Sequence, residues 1–218
     1  MPSRQPATSS TSSRPGLRFG RRSTGPTAPN GSGRTTITSR RDLLVALIAD
    51  PRPYLGHEDP AIRRLAIAVS GEAHRGLALD DPDPAVRAAA VEAGAGLEIL
   101  REAAADDADD VREAVATVYG EIADEGAVEW LIDRALHDSD QLVREAAVAA
   151  LGAIEDDRAL PVLLDLIADA PPRVRRRAVV ALTVFDDPAI EAAIRAATRD
   201  RNPGVREAAE MVVGRSAD

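Results

Sequence analysis

A β-branched residue followed by arginine recurs six times at near-regular distances, and this recurrence limits the possible folds more than any other feature of the chain. The pairs are Ile62-Arg63, Val86-Arg87, Val111-Arg112, Val143-Arg144, Val174-Arg175 and Val205-Arg206, separated by 24, 25, 32, 31 and 31 residues. A period of roughly 20–50 residues is the mark of a stacked array of repeats. Other features keep step with the pair. Three residues before it stand Asp59, Asp83, Asp140 and Asn202, types whose side-chain oxygen accepts an orphan backbone N–H at a helix start. Pro60, Pro84 and Pro203 come next, where a missing N–H costs nothing. Five residues before the pair stand Asp81, Asp106, Asp138, Asp169 and Asp200.

After the pair, apolar residues fall four, seven and eight positions on: Ala147, Ala150 and Leu151; Ala178, Ala181 and Leu182; Ala209, Val212 and Val213. That spacing is one face of a helix of 3.6 residues per turn. Gly71, Gly120, Gly152 and Gly214 stand where such helices are expected to end. Further amphipathic segments carry Val128/Leu131/Ile132/Ala135, Leu160/Leu163/Leu164/Ile167 and Ile190/Ala193/Ile194/Ala197. Each repeat therefore reads as two antiparallel helices. One such pair cannot cover its own apolar face, so the pairs must stack.

The turn acid, the Asp-Pro cap, the Val-Arg pair and the alanine-rich run after it resemble the HEAT repeat family, in particular its short phycobilisome-lyase type. The resemblance covers roughly residues 40–215. It implies an all-α fold, a right-handed α-solenoid or armadillo-like superhelix of about six helix pairs. It also implies an inter-repeat ladder built from turn acids and helix arginines six residues apart. The matching residues are Asp81/Arg87, Asp106/Arg112, Asp138/Arg144, Asp169/Arg175 and Asp200/Arg206. The first copy has His57 opposite Arg63 and is expected to stand outside the ladder.

Three segments follow. Residues 1–35 are rich in Ser, Thr, Pro, Gly and Arg without periodicity, and such a composition predicts a disordered basic tail. Residues 36–215 form the repeats, and 216–218 a short C-terminal tail. Charge divides the same way. Residues 1–41 hold eight Arg and no acid, and the remainder holds 19 Arg and 36 acids, which together make the net −9. Arg21-Arg22 is not followed by an apolar stretch, so no export signal is read there. The first helix is expected to start at Thr38 or Ser39 and to stop before Pro51 and Pro53, and the last to run from Gly204 to Val213. The second and third repeats are short, so their first helices, around 73–78 and 97–104, are expected to be clipped.

The absence of cysteine excludes thiolate metal sites and thiol nucleophiles, and no apolar run reaches the roughly 18 residues of a membrane span. Deoxyhypusine hydroxylases, built on similar repeats, bind two irons through several His-Glu dipeptides. This chain has His57, His74 and His137, and only His57-Glu58 is such a dipeptide. Phycobilin lyases call for aromatic and polar groups in a groove; in the repeat segment only Tyr54, Tyr119, Trp130 and Phe185 are aromatic, widely spread. Trp130 is expected to be a packing residue. HEAT-like DNA glycosylases line their groove with Arg and Lys. The single cluster here, Arg173, Arg175, Arg176 and Arg177, reads as a salt-bridged face on an acidic domain, which argues against nucleic acid except through the basic tail. The runs Asp106-Asp107-Ala108-Asp109-Asp110 and Asp80-Asp81-Pro82-Asp83 lack the Gly turn and final Glu of a calcium loop and read as caps and ladder acids.

No catalytic, cofactor or metal residue is assigned. The expectation is a cytoplasmic, non-catalytic scaffold, from a bacterium by its composition, that binds a protein segment carrying basic residues; the alternative, disfavoured by the few His, Cys and aromatic residues, is an enzyme or enzyme accessory resembling the phycobilin lyase or deoxyhypusine hydroxylase branch. The candidate contacts lie two positions after each arginine-pair anchor, on the second helices: Arg64, Glu113, Glu145, Arg176 and Glu207, with Ala88 in the same series. They describe an acidic centre flanked by basic residues.

Overall fold

The computed structural model describes residues 39–216 apart from Ala95; the tail assigned to residues 1–35 lies outside them. The described chain is an all-helical α-solenoid. Helix α1 spans Arg40–Ala49, and Ser39 caps it by accepting the Asp42 N–H. The helix pairs that follow place their second helices at α2 (Pro60–Ala68), α4 (Pro84–Glu92), α6 (Asp109–Glu121), α8 (Gln141–Ile154), α10 (Pro172–Ala181) and α12 (Pro203–Ser216). Between them lie α3 (Glu72–Arg75), α5 (Leu97–Ala103), α7 (Val128–His137), α9 (Leu160–Asp169) and α11 (Pro188–Ala197). The shortness of the second and third repeats falls on α3, which continues as a 3-10 turn over Gly76–Asp80, and on α5.

Side chains at the turns start these helices. Asp59, Asp83, Asp140 and Asn202 accept the backbone N–H two residues on, ahead of α2, α4, α8 and α12. A second set of caps was not singled out by the repeat pattern. Asp124, Asp156 and Asp187 do the same ahead of α7, α9 and α11. In the first two cases a 3-10 turn, Glu125–Ala127 or Asp157–Ala159, runs directly into the helix.

The second helices pack directly on one another along the array. Their buried stripe is wider than the four-seven-eight pattern, because the residue five after each anchor is buried as well: Ile67, Val91, Ala116, Val148 and Val179. One apolar core runs from Ala88 to Ala209, and a smaller cluster of Ile67, Ala78, Val86, Ala89 and Ala90, with Leu55 against it, continues it toward α2. On α1 only Leu47 is buried, while Leu44, Val45 and Ile48 are exposed.

The glycines correct the sequence reading. Gly120 and Gly152 do not end helices; they lie inside α6 and α8. A Cβ at Gly120 would stand 2.8 Å from the Ala150 Cα, and one at Gly152 2.8 Å from the Ala181 Cα. Glycine is present because neighbouring second helices touch backbone to backbone there. The helices end further on, where Ala123 and Glu155 take positive φ. Gly71 precedes α3, and Gly214 lies within α12, which continues to Ser216.

The ladder runs between repeats in one direction. Arg63 Nε and Nη2 donate to the Asp81 carboxylate at 2.7 and 2.8 Å, Arg87 to Asp106 at 2.7 and 2.9 Å, Arg112 to Asp138 at 2.8 and 2.9 Å, and Arg175 to Asp200 at 2.8 and 2.7 Å. Each arginine thus grips the turn acid of the following repeat, not the acid six residues before it in its own. It contacts its own turn through the backbone instead: Arg87 Nη1 donates to the Asp81 carbonyl, Arg112 Nη1 to that of Asp106, and Arg206 Nη1 to that of Asp200. Arg63, expected to stand aside, makes the first rung, because its carboxylate partner is Asp81 ahead of it and it meets His57 only through the backbone carbonyl. Arg144 Nε donates to the Ala135 carbonyl at the end of α7; its counterpart Asp169 has a side chain outside the described residues. Each rung carboxylate also accepts the N–H two residues on, at Asp83, Ala108, Asp140 and Asn202. One aspartate therefore braces its turn and ties it to the previous repeat.

Hydrogen bonding from Arg63, Arg87 and Arg175 holds the Asp81, Asp106 and Asp200 carboxyls below the ordinary range. At Asp138 burial pushes the other way, and the Arg112 hydrogen bonds and the Asp140 N–H outweigh it. Depressed folded-state values mean that this stabilisation is complete above the unfolded aspartate pKa of about 3.9 and disappears as pH falls through the lower folded values. Urea stability is therefore expected to fall steeply below about pH 4. In Arg112→Met, which is expected to lose about 3 kcal/mol at neutral pH by leaving the buried Asp138 carboxylate with only the longer Arg134 contact and the Asp140 N–H, the fall should be shallower.

Denaturation also tests the glycines. Gly152→Ala gains about 1 kcal/mol of helix propensity but must displace Ala181, an overpacking cost of about 1–3 kcal/mol, so a net loss is expected. Gly214→Ala meets nothing within 4 Å and should raise stability.

Candidate functional site

The second helices α6, α8 and α10 share a groove of about 560 Å³. The spacing that buries one side of each helix also builds this groove on another. On α8, Leu142, Glu145, Ala146, Ala149, Ala150 and Ala153 form a single stripe, and on α6 Glu113, Thr117, Gly120 and Glu121 do the same. α10 contributes Arg173 and Arg177. The floor is shallow in side chain because its positions are alanine and glycine.

The charges are partly spent inside the groove. Glu145 is engaged by Arg177 at 3.2 Å and by Arg173 at 3.9 Å. Glu113 is half-buried and has no cation within ion-pair distance among the described residues. Burial first, then the charges of Asp110, Asp140, Asp109 and Glu145, pushes its carboxyl above the ordinary range. The groove thus has an acidic end at α6 and a pair of arginines at α10.

Of the candidate contacts, Glu113 and Glu145 come together in this groove. Arg64, Arg176 and Glu207 are exposed but do not line it, and Ala88 is buried. The flanking cations are Arg173 and Arg177, one position before and three after the fifth anchor rather than two after. Arg176 instead lies beside Gly204 at the start of α12. These register differences follow from the offset between neighbouring helices: the Glu145 position on α8 faces the residue one further along on α10. Sequence spacing within a repeat carries no signal of that offset.

The remaining sequence candidates are tied into the scaffold. Trp130 is half-buried, donates its Nε1–H to the Ala104 carbonyl, meets Tyr119 edge-on at 5.7 Å and lies under the Arg134 guanidinium. Arg175 is 2% exposed and belongs to the ladder. His57 Nδ1 accepts the Asp59 N–H, and His137 contacts Asp133. Among the described residues, no three His, Cys, Asp or Glu side chains are placed to hold a metal ion, and no helix is long and apolar enough to cross a membrane. The groove offers hydrogen bonding, charge and apolar contact: the means to hold a chain.

Residues 97–183 match the HEAT repeat family model. Among solved structures, the chain is similar to YibA of Escherichia coli, with 19% identity over 83% of this chain and 76% of that one and a TM-score of 0.60. A designed armadillo repeat protein matches at 19% identity, 82% and 95% coverage and a TM-score of 0.51. Computationally designed armadillo repeat proteins for modular peptide recognition match at 19% identity, 81% and 94% coverage and a TM-score of 0.50. No curated protein matches the sequence.

The raised carboxyl of Glu113 is directly testable. Folding stabilises its protonated form, so that stabilisation is present at low pH and lost as pH rises through the folded value. Carboxyl-detected NMR should show Glu113 titrating above the ordinary glutamate range, and Glu113→Gln should be at least as stable as the parent at pH 7.

Proposed function

Taking residues 97–183 as a HEAT-repeat segment, we propose that the protein is a non-catalytic scaffold of the cytosol that holds a segment of another protein in the groove of α6, α8 and α10. The observation that carries this reading is the pairing of a small-residue floor with a half-buried Glu113 that has no cation within ion-pair distance among the described residues. An extended or helical segment fits over alanine and glycine without displacing side chains. A lysine or arginine on that segment supplies a cation for Glu113, which has none among the described residues. Burial raises the Glu113 carboxyl and the charges of Asp110 and Asp140 add to it, and the same contact offsets that repulsion. An acidic residue further along the segment can exchange with Glu145 for Arg173 and Arg177. The modular peptide recognition for which the similar armadillo proteins were designed fits this reading.

Binding of this kind uses charges that salt screens over about 8–10 Å. A photo-crosslinking residue at Thr117 or Ala149, introduced in the native host, is expected to capture a partner segment containing Lys or Arg. With that partner purified, Glu113→Arg should weaken binding about tenfold or more, and raising salt should weaken the parent complex. Crosslinks confined to the opposite, first-helix face, or affinity unchanged in Glu113→Arg, would overturn the groove reading. Bound iron or a visible chromophore in the purified protein would overturn the non-catalytic one.

A further inference from the structure

The last helix pair departs from the others on the side that a following repeat would cover. Five residues after the anchor, the other second helices bury Ile67, Val91, Ala116, Val148 and Val179, whereas α12 carries an exposed Glu210. On the first helices, counted from the caps Asp124, Asp156 and Asp187, Val128 and Leu160 correspond to Glu191, and Ile132 and Leu164 to Arg195. Glu191 and Arg195 are exposed and ion-paired with each other. An all-apolar surface cannot close over this end without burying charge.

Yet the end is not inert. Arg206 is prepared for a rung in the same way as Arg63 and Arg112. Its Nη1 is pinned by the Asp200 and Arg201 carbonyls at 2.8 and 3.3 Å, as that of Arg63 is by His57 and Glu58 and that of Arg112 by Asp106 and Asp107. In four other repeats the remaining edge of the guanidinium, Nε and Nη2, takes one carboxylate in a bidentate grip. For Arg206 no carboxylate within ion-pair distance is present among the described residues. On the same helix pair a groove of about 450 Å³ opens, with Phe185, Ile190, Ile194, Val212 and Val213 as its apolar lining and Asp186, Asp187, Glu191 and Arg195 as its charged lining. Val213 is 43% exposed where the equivalent Leu151 and Leu182 are fully buried.

We propose that this face is a docking surface for a second, different protein, which presents an aspartate or glutamate from a turn to Arg206 and an apolar side chain to the groove. A planar guanidinium already fixed on one edge selects a carboxylate by geometry as well as charge. Glu210 and the Glu191–Arg195 pair turn away plain apolar repeats. A second copy stacked head to tail is disfavoured, because its turn before α2 offers His57 where the rungs use aspartate. The surface is separate from the groove of α6, α8 and α10 and does not rest on the function proposed for it.

The test uses the full chain and a capped synthetic peptide with the sequence of residues 138–152, whose first aspartate fills the Arg112 rung in the fold. Saturable binding is expected, with NMR shifts at the Arg206 Nε and the Val212 and Val213 methyls. Arg206→Gln in the protein, or Asp138→Asn in the peptide, should weaken it about tenfold, while Glu98→Gln, at an exposed position of α5 away from both surfaces, should leave it unchanged. Circular dichroism would confirm that Arg206→Gln remains folded. Absence of saturable binding, binding indifferent to Arg206→Gln, or Arg206-dependent self-association of the full chain, which would make the occupant a second copy, would each overturn the proposal.

Discussion

A guanidinium that bonds three ways holds this array together. Each rung arginine rests one nitrogen on the carbonyl of its own turn and passes the other two to the aspartate of the next repeat. That aspartate in turn accepts the N–H of the residue beside or at the next helix cap. Position within a repeat and position between repeats are therefore set by one set of hydrogen bonds. The apolar core alone would not do this, because alanine and valine faces slide over one another at little cost. Shielded bidentate pairs resist sliding, since a shifted register strands both a fork and a carboxylate in low dielectric.

The consequence for packing is close approach. With the register held, α6, α8 and α10 come near enough that Gly120 and Gly152 touch the alanine backbones opposite. The same tight spacing, with small residues on the neighbouring stripe, leaves the groove. Ion pairs thus position the helices, alanine and glycine allow contact, and the space above them becomes available to a partner. The two proposed binding surfaces use different leftovers of this scheme. Glu113 is an acid without a cation among the described residues, and Arg206 is a rung donor without an acid among them.

Much of the fold was readable because solenoid repeats are local. Capping by Asp59, Asp83, Asp140 and Asn202 needs only the residues next to them, and helix periodicity needs only one turn. The clipped α3 and α5 followed from the short spacings. Residues involved in contacts between repeats were read less well. Gly120 and Gly152 looked like helix ends, because a glycine late in an apolar stripe carries the same local signal whether it ends a helix or admits a neighbour. The additional caps Asp124, Asp156 and Asp187, 32 and 31 residues apart, were present in the sequence as a second register that the Val-Arg anchor did not bring out. In the candidate site, Glu113 and Glu145 were found, but Arg64, Arg176 and Glu207 were grouped with them by a spacing that ignores the offset between helices.

The sequence by itself determined that helices form, where most begin, which faces are apolar and that the units stack, because each of these rests on interactions within a few residues or on a period repeated six times. Tertiary structure decided which acid each arginine holds, why the glycines are there, and which of the charged residues share a groove. Those depend on the translation and rotation from one repeat to the next. That relation is set by side chains meeting across 18 to 26 residues of chain, where no local periodicity records it.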